Sequence, residues 1–332
     1  MLCMRAWRVH EHGDFRKALV HEECEAPQTP EDGLVIDVAA VGINFPDLLL
    51  IADKYQVRRP PLPFVPGMEA VGRVRSAGPK SRFGVGDRVI ANGLWGAYAD
   101  QMAVSDKYAF AVPDSMDDRD AAGLHVIYQT SYMALVHRAR IEAGEVLLVH
   151  GGSGGVGSSA IQIGKALGAR VIATASSQAK LDICEQAGAD HLINYREEDF
   201  VSQVQGLTDG KGADVIYDPV GGDVFDKSSK CIAFGGRLLV IGFASGRIPE
   251  ITANRILLKN ISIVGLHWGA YYQYAPQVVD QVHDKLIGLY QAGSIKPILF
   301  GDFSMEELPS ALAAIDERRS WGKIVVRNDS MS

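Results

Sequence analysis

The sequence predicts an α/β protein in two parts: a discontinuous β-rich domain and a doubly wound parallel domain. Three observations predict it. A glycine run, Gly151-Gly-Ser-Gly-Gly-Val-Gly157, stands between a short apolar stretch at 145–150 and a helix-like stretch at 158–167. From residue 145 onward, strand-like and helix-like segments alternate strictly. Up to about residue 120, by contrast, short apolar segments are separated by Gly, Pro and Asp clusters.

In the first part, strands are expected at 4–10, 33–41, 70–77 and 88–91. Pro27-Gln-Thr-Pro30 and Gly84-Val-Gly-Asp87 punctuate them. The proline-rich segment 59–66 cannot be helix interior and reads as an ordered loop. Residues 120–140 carry apolar side chains at spacings of three and four, the pattern of a connector helix.

In the second part, strands are expected at 145–150, 169–175, 191–195, 213–220, 236–243 and 261–266, with helices between them, such as 178–187 and 223–234. An aromatic-rich loop at 268–274 and a helix near 275–293 follow. A last strand, 322–326, returns the chain to the first domain. The expected division is therefore 1–124 plus 268–332 for one domain and 125–267 for the other.

Gly152, Gly154 and Gly157 fit G-x-G-x-x-G between a strand and a helix, the dinucleotide fingerprint. Glycine lets backbone approach a ligand closely, and a helix start offers unpaired N–H groups to a pyrophosphate. Gly154, Gly155 and Val156 are accordingly expected to face it. An acidic residue after the second strand would hold the ribose hydroxyl of NAD. Here that strand runs into Ala173-Thr-Ala-Ser-Ser177-Gln-Ala-Lys180, with no acid before Asp182. Ser176, Ser177 and Lys180 suit a 2′-phosphate instead, so the expected cofactor is NADPH. Ligands lie outside the carboxyl ends of such strands. Gly242, Phe243 and Ala244 are therefore expected to pass the nicotinamide, with Leu266, His267 and Trp268 bordering cofactor and substrate.

Bulk properties narrow the partners. The net charge is −7, which argues against a nucleic-acid partner. Arg5 and Arg8 interrupt the N-terminal stretch, which does not resemble a signal peptide. No apolar run approaches the roughly 18 residues of a membrane span. Cys3, Cys24, Cys184 and Cys231 are scattered without metal-knuckle spacing and read as reduced thiols of a cytoplasmic protein.

Further segments carry a family resemblance. Val41-Gly-Ile-Asn-Phe-Pro-Asp47, Pro66-Gly-Met-Glu-Ala-Val-Gly72 and Gly84-Val-Gly-Asp-Arg-Val89 join the glycine loop, Ile193-Asn-Tyr-Arg-Glu-Glu-Asp199 and Gly221-Gly222. Together they resemble the medium-chain dehydrogenase/reductase superfamily, in its quinone-oxidoreductase-like branch. The resemblance implies a GroES-like N-terminal domain, a Rossmann domain and a cofactor lying between them. It implies that Asn44 and Tyr55 stand near the nicotinamide, able to hydrogen-bond an acceptor, with Asp47 at a recurrent position open to a loop-capping role. It places Thr130 at the nicotinamide ribose or amide and Tyr195 beside the 2′-phosphate. Trp321, Gly322 and Lys323 fall on a cofactor-contacting loop. It also implies a homodimer joined along 261–266.

The departures bear on the chemistry. Zinc alcohol dehydrogenases of this superfamily place Cys and His ligands where Asn44 and Met68 stand, and a four-cysteine lobe where only Gly93-Leu-Trp-Gly-Ala-Tyr98 follows Asn92. A catalytic zinc wants three thiolate, imidazole or carboxylate donors, so the chain is expected to be zinc-free. A conjugated acceptor then suits it better than a simple alcohol, because the acceptor delocalises the incoming charge itself. The expectation is an NADPH-dependent reductase of quinones or related electron-poor acceptors, transferring hydride directly to a small molecule. Two rivals are a 2-enoyl reductase, for which Arg58, Arg59, Arg73 and Arg75 offer a phosphate track, and a non-catalytic NADPH-binding protein of the crystallin type. Tyr271, Tyr272 and Tyr274 are candidates for a substrate wall.

Overall fold

The computed structural model describes residues 3–56 and 59–329. It divides into two compact units, Met1–Val126 with Leu299–Ser332, and Ile127–Ile298.

In the first unit the strands are β1 (Cys3–Val9), β2 (Leu19–Glu25), β3 (Gly33–Ile43), β4 (Glu69–Ala77), β5 (Arg88–Asn92), β6 (Gln101–Ser105) and β7 (Ala109–Ala111). Helices α1 (Phe15–Ala18) and α2 (Phe45–Ile51) lie among them, and α3 (Asp118–Tyr132) leads out. The expected strands are present. The sequence reading missed β2, β6 and β7. In β2 few side chains are buried, so no apolar alternation marks it; its antiparallel pairing with β1 makes it a strand. The long strand β3 pairs with β4 on one side and with β6 and a returning strand on the other. Leu34, Ile36, Val38, Val41 and Ile43 are buried on it and pack with Ile51, Tyr98, Leu308 and Leu312. Each such side chain contributes roughly 1.5–3 kcal/mol by leaving water.

The second unit alternates as expected: β8 (Val146–Val149), α4 (Gly155–Ala166), β9 (Arg170–Ala175), α5 (Gln178–Gln186), β10 (His191–Asn194), α6 (Phe200–Leu207), β11 (Ala213–Asp218), α7 (Gly222–Cys231), β12 (Ile232–Val240), α8 (Ala253–Lys259) and β13 (Ser262–Gly265). The six strands form one parallel sheet in the order β10-β9-β8-β11-β12-β13. Leu147, Leu148 and Val149 are all buried, as central parallel strands covered on both faces require. The strand expected at 236–243 begins earlier and ends earlier. Ile232 already pairs with Ala213, and a register shift near Gly235, whose φ is +74°, lets pairing resume at Arg237. After α3 the helix widens into a π-helical turn, Met133–Arg138.

Residues 268–298, expected with the first domain, fall in the second unit. They comprise α9 (Tyr271–Tyr274) and α10 (Pro276–Gln291). Gln129 Nε2 donates to the Val279 carbonyl at 3.0 Å, and Gln162 exchanges two hydrogen bonds with the Lys296 backbone at 2.8 Å each. The chain rejoins the first unit at Leu299 with β14 (Phe303–Ser304), α11 (Leu308–Asp316) and β15 (Ile324–Arg327), the last antiparallel to β3.

Candidate functional site

The sheet order reverses direction between β8 and β11, the position where doubly wound sheets open a crevice at their carboxyl ends. The glycine turn leaves β8 there. A Cβ on Gly157 would lie 2.2 Å from the Gly151 carbonyl oxygen, and one on Gly152 would lie 2.8 Å from Cys184 Sγ. Only glycine fits either place. Helix α4 then starts with Gly154 as its N-cap, without a side-chain cap and without an acid in its first turn. The first N–H groups of a helix have no partner within it. Gly154 spends its amide on the Gly151 carbonyl at 3.0 Å, and Gly155 and Val156 present the backbone donors and positive dipole end that a pyrophosphate requires.

Below the loop, Ser131 Oγ contacts the Val156 carbonyl at 3.0 Å, Ser159 Oγ at 2.8 Å and Tyr217 OH at 2.9 Å. This buried hydroxyl cluster ties α3 and β11 to the first turn of α4. Thr130, its neighbour on α3, is also buried. His150, just before the glycines, has both ring nitrogens engaged, Nδ1 with Thr174 Oγ1 at 3.1 Å and Nε2 with Ser228 Oγ at 2.9 Å. Ser228 spends its own proton on the Val224 carbonyl, so Nε2 is the donor. Burial pushes the imidazole pKa down to about 3.

Ser176 and Ser177 follow β9, and Lys180 lies in the first turn of α5. The Tyr195 amide donates to the Ala175 carbonyl at 3.1 Å, which brings Tyr195 beside Ser176. The residues expected around a 2′-phosphate thus follow the adjacent strands β9 and β10 or sit in the first turn of α5.

Gly242, Phe243 and Ala244 leave β12. The Ala244 amide donates to the Pro219 carbonyl at 3.1 Å, joining this loop to the one after β11. Asp218 shapes that second loop, its Oδ1 accepting from the Val220 and Gly221 amides at 2.8 and 2.9 Å. Leu266 donates to the Val240 carbonyl at 3.2 Å, so Leu266, His267 and Trp268 continue the same end of the sheet. Tyr272 is buried against Trp268, ring centroids 5.4 Å apart, while Tyr274 points into solvent; the three tyrosines do not form a wall.

The first unit holds a second constellation. Asn44 N-caps α2, and Asp47, three residues on, accepts from the Asn44 amide at 2.7 Å and from Tyr98 OH at 2.6 Å, both through Oδ2. Glu69 Oε1 accepts from Asn44 Nδ2 at 2.9 Å and from Lys323 Nζ at 2.5 Å, and Oε2 accepts from the Val126 amide at 2.9 Å. Lys323 Nζ also donates to Asn44 Oδ1 at 2.6 Å. A lysine only donates and a carboxylate only accepts, so this pair sets the orientation of the Asn44 amide. Its second N–H reaches the Gly42 carbonyl at 3.3 Å. Asn44, expected to offer a donor to an acceptor molecule, has both amide hydrogens occupied here. Gly42 makes the room: a Cβ there would lie 2.6 Å from Glu69 Oε1.

Lys323, expected on a cofactor-contacting loop, turns its ammonium inward and is 3 % exposed. Gly322, with φ +55°, makes that turn, and Trp321 packs edge-on against Phe300 at 5.1 Å. Tyr55 is half-buried and packs against the core of this unit. Burial and, second, the Asp47 charge raise its phenol pKa. As a metal site the set fits poorly. One carboxylate already neutralised by an ammonium, an amide and the Met68 thioether do not make the three donors that a catalytic zinc needs. Of the arginines considered for a phosphate track, Arg59 pairs with Asp53, Arg75 with Asp37, and Arg73 donates to the Gly86 carbonyl; Arg58 lies outside the described residues.

Residues 30–114 match the alcohol dehydrogenase GroES-like domain, and residues 155–284 match the zinc-binding dehydrogenase family. A quinone oxidoreductase-like protein 2 homolog of Nematostella vectensis is 39 % identical over 295 residues, 88 % of this chain and 80 % of that protein. The chain belongs to the quinone-oxidoreductase-like branch of the medium-chain dehydrogenase/reductase superfamily. Another member, human quinone oxidoreductase, is 30 % identical over 93 % of this chain and 92 % of its own. Among solved members, Escherichia coli quinone oxidoreductase, determined with NADPH, superposes with a TM-score of 0.89 at 27 % identity, covering 98 % of this chain and 100 % of that one. The fold is the one expected of this branch, a GroES-like domain and a Rossmann domain, and the protein is an oxidoreductase of that family.

Sequence reasoning did not find Lys323 as the partner of Glu69, Tyr98 as the partner of Asp47, or the Ser131–Ser159–Tyr217 cluster. Gly42 and Gly322 were the available signals, as glycines beside polar residues on otherwise apolar strands.

Proposed function

We propose that the protein is an NADPH-dependent reductase of quinones or related electron-poor conjugated acceptors, working by direct hydride transfer without zinc. The observation that carries this is the Asn44–Glu69–Lys323 cluster, in which an internal ammonium occupies the carboxylate. With no suitable donor set for a Lewis acid among the described residues, the acceptor has to spread the arriving charge over its own conjugated system. Bound NADPH supplies the hydride.

The chain's share of the work is to hold and orient. The amides of Gly155 and Val156 receive the pyrophosphate, with Gly154 capping the helix beside them. Ser176, Ser177, Lys180 and Tyr195 receive the 2′-phosphate, which a carboxylate at these positions would repel. Thr130, the backbone of 242–244 and residues 266–268 border the nicotinamide, as does the 321–322 turn. The Tyr55 phenol hydrogen-bonds the acceptor oxygen, and Asn44 braces the site from behind through Glu69 and Lys323.

A 2-enoyl reductase is the second reading. It is supported by the likeness to the CurK enoyl reductase, TM-score 0.87 at 25 % identity. The local engagement of Arg59, Arg73 and Arg75 weighs against an acyl-CoA track. We further propose a cytoplasmic homodimer paired along β13, an edge strand beside the exposed Leu257 and Leu258. Among the described residues no helix is long and apolar enough to cross a membrane.

The deciding experiment follows NADPH oxidation with 1,4-benzoquinone, an enone and crotonyl-CoA, alongside metal analysis of the purified protein. Quinone turnover without bound metal is expected. Turnover of crotonyl-CoA alone would favour the second reading, NADPH binding without turnover would favour the crystallin-like one, and one zinc per chain would refute zinc independence.

A further inference from the structure

Asp47 is more than a helix cap. It is fully buried, and its two oxygens are treated differently. Oδ2 takes both hydrogen bonds, from Tyr98 OH and the Asn44 amide, while Oδ1 has no partner among the described residues. A buried carboxylate whose second oxygen has no donor is costly chiefly because it carries a charge, and a proton on that oxygen removes the charge. The charges around it make the same point. Glu69 carries one negative charge and Lys323 one positive, and these already pair at 2.5 Å. An ionised Asp47 would leave the buried group with an uncompensated negative charge; a protonated one leaves it neutral.

We propose that Asp47 is a positioning residue holding one titratable proton on Oδ1, and that its charge state sets the Tyr55 phenol for the acceptor. This rests on the reading above that Tyr55 meets the acceptor oxygen. Hydride addition places negative charge on that oxygen. A neutral Asp47 leaves the Tyr55 phenol free to stabilise it, whereas an Asp47 anion opposes it.

The groups facing Asp47 agree. Burial pushes its carboxyl up to about 7, against the opposing pull of Tyr98 OH, the Asn44 amide and Lys323, with Glu69 adding to the rise. The Asp47 charge in turn raises the Tyr55 phenol, after burial, and the Tyr98 phenol.

The test is infrared difference spectroscopy on the resting full-length protein between about pH 6 and about pH 8. The carbonyl stretch of a protonated carboxylic acid should disappear as pH rises in the wild type and be missing from Asp47→Asn. Tyr98→Phe removes a hydrogen bond that favours the anion, so it should move the midpoint upward by roughly one to two pH units. It also serves if Asp47→Asn fails to fold. A band that persists unchanged in Asp47→Asn, or a midpoint that ignores Tyr98→Phe, overturns the proton assignment. For the positioning role, wild-type kcat/KM should fall as pH passes the infrared midpoint and Asp47→Asn should lack that limb; matching profiles overturn it. Because the band is read without acceptor, failure of the acceptor reading shows separately, as an absence of turnover.

Discussion

Lys323 Nζ lies 2.5 Å from Glu69 Oε1, and both side chains are almost wholly enclosed, 279 and 25 residues along the chain from the Asn44 amide they share. A pair of this kind gains little over an apolar pair of the same shape, but it tolerates the loss of one member badly.

Lys323→Met should therefore destabilise the protein by roughly 3–5 kcal/mol, because Glu69 is left charged and buried. Adding Glu69→Gln to that variant should recover part of the loss. Urea unfolding of the three proteins measures both effects. Equal stability of wild type and Lys323→Met would remove the pair from the account.

Asp47 makes stability depend on pH. Its folded-state pKa of about 7 lies above the unfolded value, so the folded chain binds the proton more tightly. The contribution is complete below about pH 4 and is lost as pH rises to about 7, a total of roughly 4 kcal/mol. The stability difference between wild type and Asp47→Asn should therefore change by that amount across the window, shifting in favour of Asp47→Asn as pH rises, as read from thermal midpoints at each pH. His150 works in the opposite sense, since its neutral form is the one the fold holds, and stability falls as pH drops from about 6.5 towards 3. His150→Gln isolates that slope.

The gathering of Ser176, Ser177, Lys180 and Tyr195 predicts a cofactor preference that single changes can move. Lys180→Ala should raise the KM for NADPH about tenfold, the cost of one charge-assisted hydrogen bond, and leave that for NADH unchanged. Ser176→Asp should reverse the preference by repelling the phosphate. Initial rates with each nucleotide check both, and unchanged NADPH kinetics in Ser176→Asp would remove these residues from the phosphate site.

Gly157→Ala would place a methyl 2.2 Å from the Gly151 carbonyl oxygen, inside any tolerable contact. The loop must shift, so NADPH affinity should drop at least tenfold, a cost of about 1.4 kcal/mol or more. Gly154→Ala meets the same oxygen at 3.4 Å and should be far milder. Nucleotide titration by fluorescence distinguishes the two.

Local chemistry made much of this molecule legible from its residues alone. The glycine spacing and the alternation after residue 145 are short-range features, and each specifies its own piece of backbone. The six parallel strands and their helices followed from them. Strands such as Leu19–Glu25 did not, because none of their side chains is fully buried and pairing with β1 supplies the specification. The placement of residues 268–298 also depended on long-range bonds, those of Gln129 and Gln162, which no periodicity encodes.

The same division holds at the candidate site. The sequence by itself determined that a dinucleotide loop was present, and its family resemblance put Asn44 and Met68 where related zinc enzymes carry ligands. Only the tertiary structure decided what stands there instead. Asn44, Glu69 and Lys323 come from distant parts of the chain, and a buried charge is stable only when folding delivers its partner. That is why Lys323 read as a loop residue and proved to be the internal cation of the first unit.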